Sequence, residues 1–207
     1  MDIRQLQNKL NQRTPSPMDA AARYAVLVPL VDRDGELHLL YEVRATALRR
    51  QPNEVCFPGG RIENEETAQE CALRETREEL AIPPEHIHMI GPLDFICHRA
   101  GFVVYPVLAL IDTPAADALS PNPNEVEDTF LVPLSALRTM RAQEYHYQLI
   151  PRIPEDFPYD LIGISTNYPW QPGTECGPVY PWNGRAIWGM TGRITRHVLS
   201  LLDEKRT

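Results

Sequence analysis

The stretch from Phe57 to Pro84 leaves the backbone little choice. Phe57-Pro58-Gly59-Gly60 forces a sharp turn, because proline fixes φ and paired glycines reach conformations that other residues avoid. A helix must follow almost at once. Thr67 and Glu70 have the spacing of a capping box, Ala68 to Leu80 are good helix formers, and Pro83-Pro84 end the run. Upstream, Tyr24 to Val31 and Leu37 to Val43 are apolar, strand-length segments around Asp32-Arg33-Asp34-Gly35, which predicts a β-hairpin.

The rest of the chain continues this alternation. Ile87 to Leu93, Val103 to Ile111 and Val126 to Val132 are expected as strands, and Pro133 to Met140 as a short helix. Ile3, Leu6 and Leu10 mark an amphipathic helix that Thr14-Pro15-Ser16-Pro17 terminates, so residues 1–18 are expected to form a packing arm. Residues 151–181 hold seven of the twenty prolines and are expected to be a fixed irregular loop, covering a site or meeting a second subunit. A C-terminal helix is expected over about 185–203, where Ile187, Thr191, Ile194, Val198 and Leu202 keep helical spacing.

A length of 207 residues suits one domain with a core that requires no disulfides, and single-domain organisation over 1–207 is expected. No apolar run approaches the ~20 residues of a membrane span. Asp2, Arg4, Gln5 and Gln7 do not compose a signal peptide, so the expected location is cytoplasmic. Cys56, Cys71, Cys97 and Cys176 are scattered without a C-x-x-C pair and are expected as buried thiols. The histidines show no metal-ligand spacing beyond His86 and His88 and are expected to be structural or surface residues. Aromatics of the proline-rich segment, such as Tyr168 and Trp170, are expected to pack as its local core. A net charge of -8 argues against nucleic acid as a partner, while leaving room for a small anionic substrate bridged by divalent cations.

The chemistry concentrates on the helix after Gly60. Glu75, Glu78 and Glu79 stand at i, i+3 and i+4, within an arc of roughly 100° on one face. Like charges so close repel, and hard cations such as Mg²⁺ or Mn²⁺ relieve that repulsion through oxygen ligands. Ala68, Cys71 and Ala72 lie on the same face one to two turns earlier, small enough for the Gly59-Gly60 turn to cross close by.

Gly60, Glu66 and Arg74-Glu75-Thr76-Arg77-Glu78-Glu79-Leu80-Ala81-Ile82 resemble the Nudix box, G-x5-E-x7-R-E-U-x-E-E-x-G-U with U apolar. Thr76 departs at an apolar position, and Ala81 stands where the family has glycine at the helix exit. Arg44-Ala45, Arg49, Asn53 and Phe57-Pro58-Gly59-Gly60 resemble the motif of the family's coenzyme A pyrophosphatase branch, L-L-T-x-R-[SA]-x3-R-x3-G-x3-F-P-G-G. Leu40-Tyr41-Glu42 replaces the opening L-L-T, which puts an acid beside the recognition motif. Asn53 replaces a glycine and tolerates positive φ.

The resemblance implies an α/β/α sandwich with a mixed β-sheet and a metal-dependent hydrolase of nucleoside diphosphate derivatives, with coenzyme A or its thioesters preferred. Glu75, Glu78 and Glu79 would hold Mg²⁺ or Mn²⁺, Glu66 would bind the metal through water or brace Arg74, Arg74 would orient the glutamates, and Glu125 would add a further catalytic acid, with Glu127 as the second candidate. Arg44, Arg49, Phe57, Gly59 and Gly60 would bind substrate. Guanidinium forks suit phosphate oxygens, so the arginines fit that role on their own chemistry. The partner is then a small nucleotide, with no nucleic acid, no membrane and a homodimer possible. A hydrolase for ADP-ribose or another sugar nucleotide, and a Nudix-fold ligand sensor without turnover, are the competing readings; intact Glu75, Glu78 and Glu79 disfavour the sensor.

Overall fold

The apolar run at Ala25–Val31 becomes the middle of a sheet because its alternate side chains are buried on both faces. In the computed structural model, which describes residues 2–13, 15–18 and 20–203, strand β1 (Ala22–Arg33) runs antiparallel to β2 (Glu36–Arg44). Helix α1 (Ile3–Asn11) precedes the pair, and the short β3 (Val55–Cys56) and β4 (Gly59–Arg61) follow it. Then come helix α2 (Ala68–Leu80), β5 (Ile87–Pro92), β6 (Ile96–His98), β7 (Phe102–Ile111) and α3 (Thr113–Asp117). The chain continues through β8 (Val126–Pro133), α4 (Leu134–Met140), β9 (Gln143–Leu149), α5 (Tyr159–Ile162), β10 (Gly173–Trp182), β11 (Arg185–Ile187) and α6 (Gly189–Asp203).

Parallel pairing of β1 with β7, among otherwise antiparallel neighbours, makes the main sheet mixed; its path is β3-β2-β1-β7-β5, with β4 on β1, β6 on β7 and β8 on β2. Strands β9, β10 and β11 form a separate three-stranded sheet. The period of two in β1 and β2 builds two cores. Ala25, Leu27, Val31 and Leu40 pack toward Cys71, Ala72 and Leu80 of α2. Val28, Leu30, Leu39 and Tyr41 pack toward α4 and α6, where the Tyr41 hydroxyl meets Thr195 Oγ1 at 2.9 Å. An α/β/α sandwich with a mixed sheet is thus the architecture.

Helix α2 keeps the expected bounds, with both capping-box bonds between Thr67 and Glu70. Thr76, polar at an apolar position, is buried with its hydroxyl donating to Ala72 O at 2.7 Å, which removes the cost of burial. Ala81 closes the helix in the left-handed region, φ 56° and ψ 26°. Asn53 holds positive φ, 63°, as expected of the glycine it replaces.

Several expectations change. Helix α1 buries no residue, and Ile3 and Leu10 are 67% and 53% exposed, so it is not a packing arm: among the described residues, its apolar stripe is covered only in part, at Leu6. Met1 and Thr14, which that arm also spans, lie outside the described residues. The irregular segment ends early, because β10 occupies Gly173–Trp182 despite Pro178 and Pro181. Residues 173–179 pair with β9 and 180–182 with β11, so each part of the strand has one partner at a time and a missing N–H is tolerated. The final helix starts at Gly189, not near 185, because Asn183 and Gly184 adopt positive φ and turn the chain into the β10–β11 hairpin. Cys97 is exposed, and Cys56 and Cys176 only partly covered, so Cys71 alone matches the expected fully buried thiol.

Ala81→Gly is expected to raise stability by about 1 kcal/mol, since a Cβ in the left-handed region costs roughly 1–2 kcal/mol. Chemical denaturation with an unchanged m-value checks it.

Candidate active site

Two glycines let β4 lie against both β1 and α2. A Cβ on Gly59 would sit 2.3 Å from Ala25 O, and one on Gly60 would sit 2.0 Å from Glu75 Oε1. Cys71 Sγ lies 3.6 Å from Gly60 O, so the small face of α2 receives this turn as its sequence suggested. With the turn in place, the Gly59 N–H donates to Glu79 Oε2 at 2.8 Å. That bond links the turn to the far end of the carboxylate stripe.

Arg74 organises the near end. Its Nε and Nη2 donate to Glu66 Oε1 and Oε2 at 2.9 and 3.1 Å, its Nη1 to Glu75 Oε1 at 2.7 Å and Glu78 Oε2 at 3.4 Å, and its Nη2 also to Arg61 O at 3.1 Å. The bidentate pair holds the Glu66 carboxyl well below the usual range, at about 2. Both Glu66 oxygens are engaged by this fork, so its geometry is that of a brace for Arg74 more than of an open ligand. Glu78 is more exposed than its neighbours, its side chain 52% accessible against 14% for Glu75.

Glu79 is buried, as is Glu42 on β2, a residue that sequence reasoning noted only as a departure from a motif. The signal was available: with Leu40 facing α2, the strand period turns Glu42 and Arg44 to the same side. Burial raises the proton affinity of Glu79, and the negative fields of Glu42, Glu75 and Glu125 raise it further, against the lowering bond from Gly59. Burial likewise raises Glu42 and Glu75. These raised affinities favour a proton or a bound cation among the acids.

The loop between β2 and β3 is drawn beside these acids. Arg44 N donates to Glu54 O, Asn53 N to Arg44 O, and Ala45 N to Glu125 O at 2.8 Å. Thr46 Oγ1 donates to Asn53 Oδ1 at 2.9 Å and to Glu127 Oε2 at 3.3 Å. The segment carrying Glu125 is fixed in turn by Asn122 N to Glu79 O and Ser120 N to Leu80 O, which satisfy terminal carbonyls of α2. Among the described residues, neither Arg44 nor Arg49 has an ion-pair partner, and Arg49 is exposed. Phe57 is a correction. Its ring is 3% exposed and stacks on Tyr41 at 4.9 Å in the α6-side core, so it supports the turn by packing and is sealed from substrate.

The donor set suits a hard divalent cation: carboxylates in excess, a buried one among them with an oxygen that lacks any partner, Glu42 Oε2. A tighter group lies elsewhere. Glu144, His146 and Cys176 bring ligand atoms within 4.8 Å of one another on β9 and β10, a clustering of His146 that its sequence did not announce. There Arg196 Nη1 already stands 3.2 Å from Glu144 Oε1 and 3.4 Å from Cys176 Sγ, so a cation is in place.

The NUDIX domain family model matches residues 21–153. The chain belongs to the Nudix family. It is similar to Nudix hydrolase 3 of Caenorhabditis elegans, 31% identical over 194 residues that cover 92% of this chain and 78% of the worm protein. Mitochondrial coenzyme A diphosphatase NUDT8 of Homo sapiens is 35% identical over 87% of this chain and 70% of its own length. Peroxisomal coenzyme A diphosphatase NUDT7 of Mus musculus is 35% identical over 65% of this chain, which spans 56% of the mouse protein. As a Nudix pyrophosphohydrolase, the chain belongs to a family that uses divalent metal ions and small nucleotide substrates. No described helix is long and apolar enough to cross a membrane.

A pH dependence follows for the metal-free enzyme. A folded-state carboxyl with raised proton affinity stays protonated where the unfolded chain has released its proton, so unfolding releases protons and stability falls as pH rises. In chelator, the melting temperature is expected to decline from about pH 5 upward, from the ordinary glutamate pKa of about 4.3. Glu79→Gln is expected to flatten that decline, which melting curves across pH will show.

Proposed function

We propose that this Nudix enzyme hydrolyses the pyrophosphate bond of coenzyme A or its thioesters, using Mg²⁺ or Mn²⁺, to adenosine 3',5'-bisphosphate and a 4'-phosphopantetheine compound. The observation that carries this reading is the gathering of carboxylates on α2 with Arg44 close enough to act on Glu42, while among the described residues neither Arg44 nor Arg49 stands in an ion pair. A substrate with a pyrophosphate and a separate ribose phosphate needs positive charge in two places. A cation held by Glu75, Glu78 and Glu79 meets the first need, and Arg44 and Arg49 meet the second. The two coenzyme A diphosphatases at 35% identity support the same substrate.

The bound metal, when present, neutralises charge on the non-bridging oxygens and on the departing phosphate. Glu79, anchored to the Gly59 N–H, fixes one edge of the site, and Arg74, braced by Glu66, holds Glu75 and Glu78 at the other. Glu125 receives the proton of the attacking water as its oxygen bonds to phosphorus. The bridging oxygen leaves with the second phosphate as a phosphomonoester, so no covalent enzyme intermediate is needed. Gly60 leaves room for Glu75 where any side chain would strike it.

Chromatography of products after incubation with coenzyme A, ADP-ribose and a nucleoside triphosphate in Mg²⁺ or Mn²⁺ tests the reading. Release of adenosine 3',5'-bisphosphate from coenzyme A is expected; preferential cleavage of ADP-ribose would transfer the assignment to sugar nucleotides, and absence of any turnover would leave a sensor. Glu125→Gln is expected to reduce kcat by about 100-fold or more, the scale of a lost acid–base group, and Glu79→Gln to abolish turnover with the fold retained, through loss of a carboxylate that would hold the cation. Arg49→Ala is expected to raise KM for coenzyme A while leaving that for 3'-dephospho-coenzyme A near its wild-type value.

A further inference from the structure

Glu42 is the least ordinary residue of the sheet. It lies in the middle of β2 between β3 and β8, directly across from Cys56 and Thr129, and is 1% exposed. Its Oε1 accepts from the Cys56 thiol at 3.2 Å. Its Oε2 is sealed from solvent and has no hydrogen-bond partner. A buried carboxyl oxygen with nothing to bind is rare, because burial without a partner forfeits hydration and returns nothing.

The strand period sets the direction of this side chain. Leu40, two residues earlier, packs against the α2-side core, whereas Tyr41 packs against α6, so Glu42 faces the α2 carboxylates. The charged groups that act on it are Arg44, Glu125 and Glu75, and Glu42 in turn acts strongly on Glu79. The field of Arg44 favours the charged form of Glu42 without forming an ion pair with it. Arg74 is taken up by Glu66, Glu75 and Glu78, and among the described residues Glu42 has no ion pair with Arg44, whose own buried Nε is also unpartnered.

We propose that Glu42 is an additional carboxylate ligand of the divalent ion, offering Oε2 from the sheet opposite the α2 glutamates. This rests on the reading of Glu75, Glu78 and Glu79 as the metal-holding group. A strand and a helix that already pack together would then both supply ligands to the ion. Ligation also supplies the missing partner of Oε2, which Cys56 cannot provide.

Mn²⁺ binding to the purified full-length chain, followed by electron paramagnetic resonance of the free ion at pH 8, tests this on wild type, Glu42→Gln, Glu42→Thr and Glu79→Gln. Both Glu42 variants are expected to bind Mn²⁺ at least tenfold more weakly and, in chelator, to melt at higher temperature than wild type, because an unsatisfied buried acid has been removed. If Glu79→Gln weakens binding but the Glu42 variants bind as wild type, Glu42 is not a ligand and the α2 assignment stands. If none of the variants changes affinity, the α2 assignment falls and this proposal with it. Should the Glu42 variants fail to fold, infrared spectroscopy of the wild type reads the same contact: the Cys56 S–H stretching band, identified by its loss in Cys56→Ala, is expected to shift when Mn²⁺ is added, and an unmoved band would overturn the proposal.

Discussion

Repulsion among carboxylates is the constraint around which this molecule is arranged. Glu42, Glu75 and Glu125 each raise the proton affinity of Glu79, while Arg74 bonds Glu75 and Arg44 acts on Glu42. A cluster like this is unfavourable for folding taken alone. Neighbouring groups offset part of that cost: the Gly59-Gly60 turn packs between β1 and α2, the Gly59 N–H donates to Glu79, and Arg74 bonds Glu66 and Glu75 together. The fold thus holds in reserve an electrostatic demand that a divalent cation satisfies.

Much of that arrangement was legible because it depends on local chemistry. The bounds of α2 were readable from Thr67, Glu70 and the proline pair, since capping is decided by neighbouring residues. Passage of a loop across Ala68, Cys71 and Ala72 was readable because small side chains on one helical face leave a groove. The left-handed turn at Asn53 followed from the tolerance of asparagine for positive φ.

What could not be read depends on distant partners. Phe57 stands beside the recognition motif in sequence, yet the sheet turns its ring toward Tyr41 and the α6 layer, a fact that only pairing of β3 with β2 decides. Glu42 is the converse: composition gives no reason to bury an acid, and only strand parity directs it at Glu79. Strand β10 escaped recognition because proline was weighed as a breaker without regard to how many partners the strand has. In the same segment, Asn183-Gly184 was a local hairpin signal, overshadowed by the longer helical periodicity that begins inside β11.

The division of labour between the sheet and α2 bears on how the enzyme is assembled. Strand β2 carries both Glu42, whose side chain faces the α2 carboxylates, and Arg44, whose backbone anchors the following loop through Glu54 O and Asn53 N. Helix α2 carries the opposing acids, and the Glu125 segment ties the two through Ala45 N and the terminal carbonyls of α2. Any shift of β2 relative to α2 therefore changes the acidic and the basic halves of the site together. Packing of a strand against a helix fixes the spacing between the β2 and α2 groups, whereas Arg49, on the connecting loop, is positioned only through that loop's backbone bonds to Arg44 and Glu54.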